Sequence, residues 1–324
     1  QGGLMSEADL AAHADAGSTR DDPIAASFGG LQVHEHGPNG SGIAALVALR
    51  LLEGISPPAE ELGHNSAAYL HRLIEALRLA FADTRWYVSD PQHHATPVDE
   101  LLSARYAEQR RKLIDPRKAT ADVHKGSPFA GSDTVSFQVV DAAGGAVSMV
   151  NSNYAGFGTG LVPAGCGFSL QNRGANFSLA PGHPNCLAPS KRPYHTIIPA
   201  IATRAGELFA TFTNMGGFMQ PQGHVQLLLN MLAFGMEPQA AIDAPRFCID
   251  GITNGSDATG EISLEEGIDP AVADELRRMG HKVVYPVSGH ARSVFGRAQI
   301  IQRHPNGCLW AGSDGRADGM AVGW

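Results

Sequence analysis

The chain has 324 residues, 43% of them hydrophobic and 17% charged, which is enough to bury a substantial core as one large or two small domains. A formal net charge of −8 gives little electrostatic support for a nucleic-acid partner, and no run of about 18 apolar residues suggests a membrane span. The four cysteines are scattered and form neither a zinc pattern nor a dense disulfide framework. The first residue is Gln1, so we expect a fragment or a processed product, and the compartment, cytoplasmic or periplasmic, stays open.

The first third of the chain reads as helical. Apolar residues at helical spacing predict helices over 41–55, 66–88 and 98–114, and Ser66 is a suitable N-cap for the second. Residues 115–133 then lack any apolar periodicity and are rich in turn formers, so we expect exposed, loose chain there.

From Thr134 the period changes to two, which is typical of strands. Apolar and polar residues alternate on both sides of a Gly-rich turn at 141–145, predicting a β-hairpin. Further strands are predicted at 165–171, 196–203, 207–213, 281–287 and 297–303, and further helices at 225–234 and 270–280. Successive strands flanked by helices predict a layered α+β fold.

Thr134 stands where loose chain meets the first strand of this hairpin. A threonine hydroxyl is a poor nucleophile unless a base lies beside it, and the free α-amine of an N-terminal threonine is such a base. Scission of the Asp133–Thr134 bond would create that amine, with a reference pKa of about 8. On the residues alone, an ordinary β-prone strand threonine remains the alternative.

Several segments in order carry a resemblance to a known family. The stretch "DTVSFQVVDAAGGAVSMVNSNYAGFGTG" resembles the start of the small subunit of γ-glutamyltransferases, which are N-terminal-nucleophile hydrolases. The resemblance continues through "LQNRGANFSL", "APSKRPYHTIIPAI", "NMGGFMQPQG", "DAPRF" and "GSDGRADGMAVGW", and upstream through "GGLMSEADLAAH" and "GPNGSGIAAL". It implies a four-layer αββα sandwich, with residues 1–133 as the C-terminal part of a large subunit whose beginning is missing and 134–324 as the small catalytic subunit.

The resemblance also implies the catalytic residues. Thr134 is the expected nucleophile, first for cleavage after Asp133 and then for acyl transfer. Ser152 falls where the family has a second hydroxyl residue that hydrogen-bonds the nucleophile. Gly216 and Gly217 match a pair whose backbone N–H groups form the oxyanion hole.

At the positions where the family binds its substrate, this sequence has different residues. Arg173 and Asn176 replace a glutamine and an aspartate that bind the α-amino group of a glutamyl donor. His195 and Thr196 replace a serine pair that holds the α-carboxylate, and Tyr154 replaces an asparagine. A guanidinium without a carboxylate beside it suits an acyl group that carries a carboxylate and no ammonium. The combination is similar to a divergent branch that includes cephalosporin acylases and an oxamate amidohydrolase.

We therefore expect an autoprocessed amide hydrolase with a small-molecule amide substrate. No cofactor is expected, and no metal, although His34 and His36 share one face of a predicted strand. The expected partners are the two subunits of one precursor, with a homo-oligomer of such heterodimers left open. A true γ-glutamyltransferase or glutathione hydrolase, or an uncleaved binding protein, are the alternatives.

Overall fold

A computed structural model describes residues 4–120, 133–250 and 260–324. Its helices are α1 Glu7–Ala16, α2 Gly42–Leu52, α3 Ala59–Leu62, α4 Ala67–Tyr87, α5 Val98–Leu101, α6 Ala104–Arg111, α7 Met219–Leu232, α8 Pro238–Asp243 and α9 Pro270–Arg278. Its strands are β1 Ile24–Phe28, β2 Leu31–Glu35, β3 Asp133–Val140, β4 Ala146–Tyr154, β5 Ala200–Arg204, β6 Glu207–Met215, β7 Phe247–Ile249, β8 Ile262–Glu265, β9 Val283–Val287, β10 Arg297–Arg303 and β11 Leu309–Ser313. The predicted α+β class is confirmed.

The centre of the molecule is a six-stranded antiparallel sheet in the order β1-β2-β5-β6-β10-β11. The two faces of β6 show how the layers stack. Phe212 packs at 5.1 Å from the ring of His224 on α7, whereas the neighbouring Thr211 and Thr213 hydrogen-bond to β3. Helices therefore cover one face of the sheet, and the β3–β4 hairpin covers the other.

The helical layer is built around α2, which is buried on nearly every side, as its continuous apolar sequence predicts. It packs against α4, whose Ser66 N-cap accepts a hydrogen bond from the Tyr69 backbone N–H, as expected. Within the described residues, no helix combines the length and apolar character that crossing a bilayer requires.

The hairpin presents its polar side chains to the central sheet. The Thr213 hydroxyl donates to Ser136 at 2.7 Å, and the Gln138 amide donates to Thr213 at 3.1 Å. The alternate residues Val135 and Phe137 are 64% and 50% exposed on the outer face. Hydroxyl and amide groups that pair across the layers thus replace the apolar interface that a sandwich usually has.

A second small sheet, β7-β8-β9, is tied to the central sheet by a buried ionic network. Arg246 is 1% exposed and donates to Asp314 at 2.8 Å and to Asn214 at 2.9 Å. Arg316 in turn pairs with Asp314 and Glu265. Because Asn214 lies near the end of β6, this network fixes the strand that leads to Gly216 and Gly217.

Some predicted elements differ from the structure. No strand forms over 165–171, because Gly165 and Gly167 adopt φ values of 79° and 70° that a strand does not accommodate. The helix predicted over 98–114 is divided into α5 and α6, since Ser103 caps a new helix by accepting from the Tyr106 N–H. Most of the loose segment predicted at 115–133 lies outside the described residues, and the subunit boundary after Asp133 stays a prediction.

Candidate active site

Thr134 lies at the beginning of β3, opposite Ser152 on β4. Its side chain is only 2% exposed, and its hydroxyl donates a hydrogen bond to the Ser152 Oγ at 3.0 Å. The register of the hairpin shifts between Asp133 and Thr134, so the regular ladder begins at Thr134 itself. The structure thus brings together the two hydroxyls that the sequence predicted as a pair.

Ser152 accepts a second hydrogen bond, from the backbone N–H of Tyr154 at 2.8 Å. Tyr154 adopts a φ of 78°, a region that bulky side chains enter only at a cost in free energy. This backbone conformation directs the Tyr154 N–H at the same oxygen that Thr134 contacts. The strained backbone of Tyr154 therefore helps to orient the Thr134 and Ser152 hydroxyls.

Gly216 and Gly217 form the turn between β6 and α7, with φ values of 133° and 58°. The φ of Gly216 is strained for any other residue, and a Cβ there would lie 3.1 Å from the Gly296 Cα, which would have to shift slightly. The carbonyls of the pair accept hydrogen bonds from the first turn of α7. Neither N–H donates to another residue in the described parts of the chain, which leaves two backbone donors available.

The contacts between hairpin and sheet indicate how this turn lies relative to Thr134. Gln138 hydrogen-bonds to Thr211 and Thr213, and Ser136, two residues earlier on β3, hydrogen-bonds to Thr213. The two strands therefore run in opposite directions across the layers. Extending this pairing by two residues on each strand places Thr134 near the end of β6, where the glycine turn begins.

Arg173 is the principal charged group of the site and is 3% exposed. It lies in a short 3-10 turn, Arg173–Asn176, and its Nη1 donates to the Thr196 hydroxyl at 2.5 Å. The Tyr154 ring covers the guanidinium at 4.5 Å. Its Nε and Nη2 are buried and have no hydrogen-bond partner among the described residues, and burial lowers the pKa of Arg173 to about 10.

His195 lies beside this guanidinium. Burial, the Arg173 charge and His36 lower the pKa of His195 to about 3, so the ring is neutral near pH 7. Its Nδ1 accepts from the Ile197 N–H at 3.2 Å, which leaves the proton on Nε2. The backbone of His195 also hydrogen-bonds to Asn39 and Ser41, which join the predicted large-subunit part to this segment.

Asn176 is buried and neutral. Its side-chain amide donates to the Tyr194 backbone carbonyl at 3.0 Å, and the Asn176 backbone carbonyl accepts from the Asn185 side chain at 2.7 Å. The side chain thus holds the 3-10 turn against the segment that carries His195 and Thr196. Its predicted part in substrate binding stays a prediction, as do the roles of the other site residues.

One buried cluster of metal-ligand residue types lies away from this site. His71, Glu75 and His281 have potential ligand atoms within 4.8 Å of one another. Arg78 donates to Glu75 at 2.9 Å and to His281 at 3.1 Å, while His71 and His281 hydrogen-bond at 2.7 Å. A guanidinium among the ligands opposes a second cation, so hydrogen bonds account for the cluster as it stands.

Arg85 also approaches the site, although no sequence motif points to it. Its guanidinium lies 5.2 Å from the ring centroid of Tyr194 and 5.1 Å from that of Phe218. An arginine at the end of an amphipathic helix carries no distinguishing pattern, so only the tertiary contacts identify it.

The chain is similar to proteins of one family. The family model described as gamma-glutamyltranspeptidase matches residues 1–324. The glutathione hydrolase-like YwrD proenzyme of Bacillus subtilis is 35% identical over 301 residues, which is 93% of this chain and 55% of that protein. The oxamate amidohydrolase proenzyme of Klebsiella pneumoniae is 36% identical over 283 residues, which is 86% of this chain and 51% of that protein.

Among solved structures, the cephalosporin acylase from Bacillus halodurans matches with a TM-score of 0.86 and 40% identity, covering 100% of this chain and 56% of that one. This chain therefore spans about half the length of the relatives it matches. The resemblance to the acylase and amidohydrolase branch is confirmed.

Proposed function

Because the chain belongs to the γ-glutamyltranspeptidase family, a family of hydrolases, we propose that it forms part of an autoprocessing amide hydrolase. It acts through a threonine acyl-enzyme on an acyl group that bears a carboxylate and lacks an α-ammonium. The observation that carries the substrate class is Arg173, buried, charged and with two nitrogens that have no partner among the described residues.

Processing comes first. The Thr134 hydroxyl attacks the Asp133 carbonyl and displaces the peptide nitrogen, and water then opens the resulting ester, which leaves a carboxylate on Asp133 and a free hydroxyl and α-amine on Thr134. The reference pKa of this amine, about 8, suits proton transfer near neutrality. The amine takes the proton from the Thr134 hydroxyl as that oxygen attacks the amide carbonyl. Ser152, whose Oγ lies 3.0 Å from the Thr134 hydroxyl oxygen, holds that oxygen in position, and the hydroxyl hydrogen turns from Ser152 to the amine as the attack begins.

The rest of the cycle uses the glycine turn. The N–H groups of Gly216 and Gly217 donate to the oxyanion of the tetrahedral adduct, which collapses as the leaving amine takes the proton from the α-amine of Thr134. An ester on Thr134 remains. Water, deprotonated by the same amine, attacks this ester and releases the acid with regeneration of the hydroxyl.

The charges of the site favour an acid without an ammonium group. The Nε and Nη2 atoms of Arg173 form the side edge of the guanidinium, which matches a carboxylate in a bidentate arrangement. No carboxylate of the described residues forms an ion pair with Arg173, and Asn176 is a neutral amide already engaged by backbone. An α-ammonium would meet positive charge and find no anion there.

Two experiments test the proposal in the full-length precursor. Thr134→Ala should run as one band on a denaturing gel where the wild type gives two, and it should lack turnover. The wild type should hydrolyse glutaryl amides or oxamate in preference to γ-glutamyl-p-nitroanilide. Cleavage of the Thr134→Ala precursor would refute the mechanism, and turnover of the γ-glutamyl substrate alone would refute the substrate class.

A further inference from the structure

Arg85 contacts two of the segments that build the proposed site. It lies in the last turn of α4, and its guanidinium rests against the rings of Tyr194 and Phe218, which stack on each other at 5.9 Å and 21°. A planar cation against two aromatic faces is a directional contact whose strength increases as water is excluded. Tyr194 is fully buried and Arg85 is partly buried, so this contact is largely dry.

The two rings connect to different parts of the site. Phe218 directly follows the Gly216–Gly217 turn, and Tyr194 directly precedes His195 and Thr196. The two glycines have no side chains with which to pack, so their backbone N–H groups are positioned by their neighbours. The Tyr194–Phe218 stack therefore sets the spacing between the oxyanion donors and the segment that reads the acyl group, and Arg85 holds the stack from the helical layer.

The positive charge of Arg85 also lies close enough to Tyr154 to affect its phenol. Burial raises the pKa of Tyr154, and the positive charges of Arg173 and Arg85 oppose that rise.

We propose that Arg85 is a positioning residue for acylation, which fixes the Gly216–Gly217 turn relative to the His195–Thr196 segment through the Tyr194–Phe218 stack. This inference rests on the proposed hydrolase function. It is separate from substrate binding, because Arg85 acts on the geometry of the oxyanion donors and Arg173 acts on the acyl group.

The test compares variants of the processed full-length enzyme on a glutaryl amide. Arg85→Met keeps the apolar stem and should lower kcat about 10- to 100-fold, with KM changed less than about threefold. Arg85→Lys keeps the charge without the planar face and should fall between Arg85→Met and the wild type. Arg204→Met is the matched control, because Arg204 also stacks on a ring, that of Phe209 at 4.8 Å, where β5 ends. It should leave kcat unchanged.

Chemical rescue separates positioning from a general structural role. Millimolar guanidinium chloride should restore part of the kcat of Arg85→Ala, and urea, which is planar but neutral, should not. Wild-type kcat in both Arg85→Met and Arg85→Lys, or an equal loss in Arg204→Met, would overturn the proposal. So would failure of guanidinium to restore kcat in a folded Arg85→Ala protein. Absence of amide turnover by the wild type would instead refute the proposed function.

Discussion

Replacing Arg173 by methionine should reduce activity on carboxylate-bearing amides without reducing the stability of the fold. Arg173 gives one hydrogen bond to Thr196 and one cation–π contact to Tyr154, and its Nε and Nη2 are buried without a partner among the described residues. Methionine retains most of the apolar stem and removes a buried charge. The substitution therefore tests whether the two nitrogens are kept for a ligand.

The magnitude follows from the two donors. A hydrogen bond to a charged group contributes about 1.5–3 kcal/mol, so two of them to a substrate carboxylate contribute about 3–6 kcal/mol. Since about 1.4 kcal/mol corresponds to a factor of ten, kcat/KM should fall about a hundredfold to ten-thousandfold. Stability should change little, because the lost contacts with Thr196 and Tyr154 are offset by relief of the desolvated charge.

The assay compares two p-nitroanilides that differ only in the terminal group, glutaryl and pentanoyl. Arg173→Met should lower kcat/KM for the glutaryl compound and leave the much slower pentanoyl reaction within about threefold, since only the first has a carboxylate. Arg173→Lys should recover only part of the glutaryl activity, because an ammonium lacks the planar fork. Equal losses on both substrates, or a marked fall in the unfolding midpoint, would refute the reasoning.

Three further predictions follow from the surroundings of the site. Gly216→Ala should fold but lose at least about a hundredfold in kcat, because a Cβ at that φ displaces the proposed oxyanion donor; wild-type kcat would contradict this. Asp314→Asn should lower the free energy of unfolding in urea by about 3–5 kcal/mol, because Arg246 is left buried without its counterion, and a loss below about 1 kcal/mol would disprove it. The folded pKa values of His195 and His281 are both about 3, below the unfolded value of about 6.5. The unfolded state therefore binds more protons below that pH, and stability should decline as pH falls from about 6.5 toward 3. Urea midpoints at pH 7 and 5 should differ less in His281→Asn than in the wild type, and equal midpoints in the wild type would contradict the linkage.

Local patterns were sufficient where one element's own residues decide its structure. The alternation after Thr134 predicted β3 and β4, and the apolar spacing with the Ser66 cap predicted α4. In both cases the backbone hydrogen bonds form within the element itself, and the spacing of apolar residues identifies which face of the element carries them. The orientation of the hairpin was not accessible in this way, because its polar face packs inward against threonines of β6.

Elements that depend on distant partners were missed or misplaced. The start of α7 contains the polar sequence "QPQG", which does not indicate a buried helix, and the prediction began six residues late. Gln222 is buried there because its amide pairs with the backbone of Ile249 on β7, donating at 3.2 Å and accepting at 2.7 Å. The residues next to Gln222 in the sequence do not reveal these hydrogen bonds, since the partner lies on another strand.

The sequence by itself determined which functional groups are available: a hydroxyl at the start of a strand, a glycine pair after another strand, and an arginine at a position where the family resemblance implies an anion for a glutamyl donor. Residue type and order suffice for that, because reactivity belongs to the functional group and the order of motifs identifies the family. The tertiary structure alone decided how these groups meet. Three features depend on segments that are far apart in the chain. They are the 3.0 Å contact between Thr134 and Ser152, the burial of the Nε and Nη2 atoms of Arg173, and the contact of Arg85 with the Tyr194–Phe218 stack. Hydrogen-bond geometry, burial and charge at a site are properties of the packed layers, which no single segment encodes.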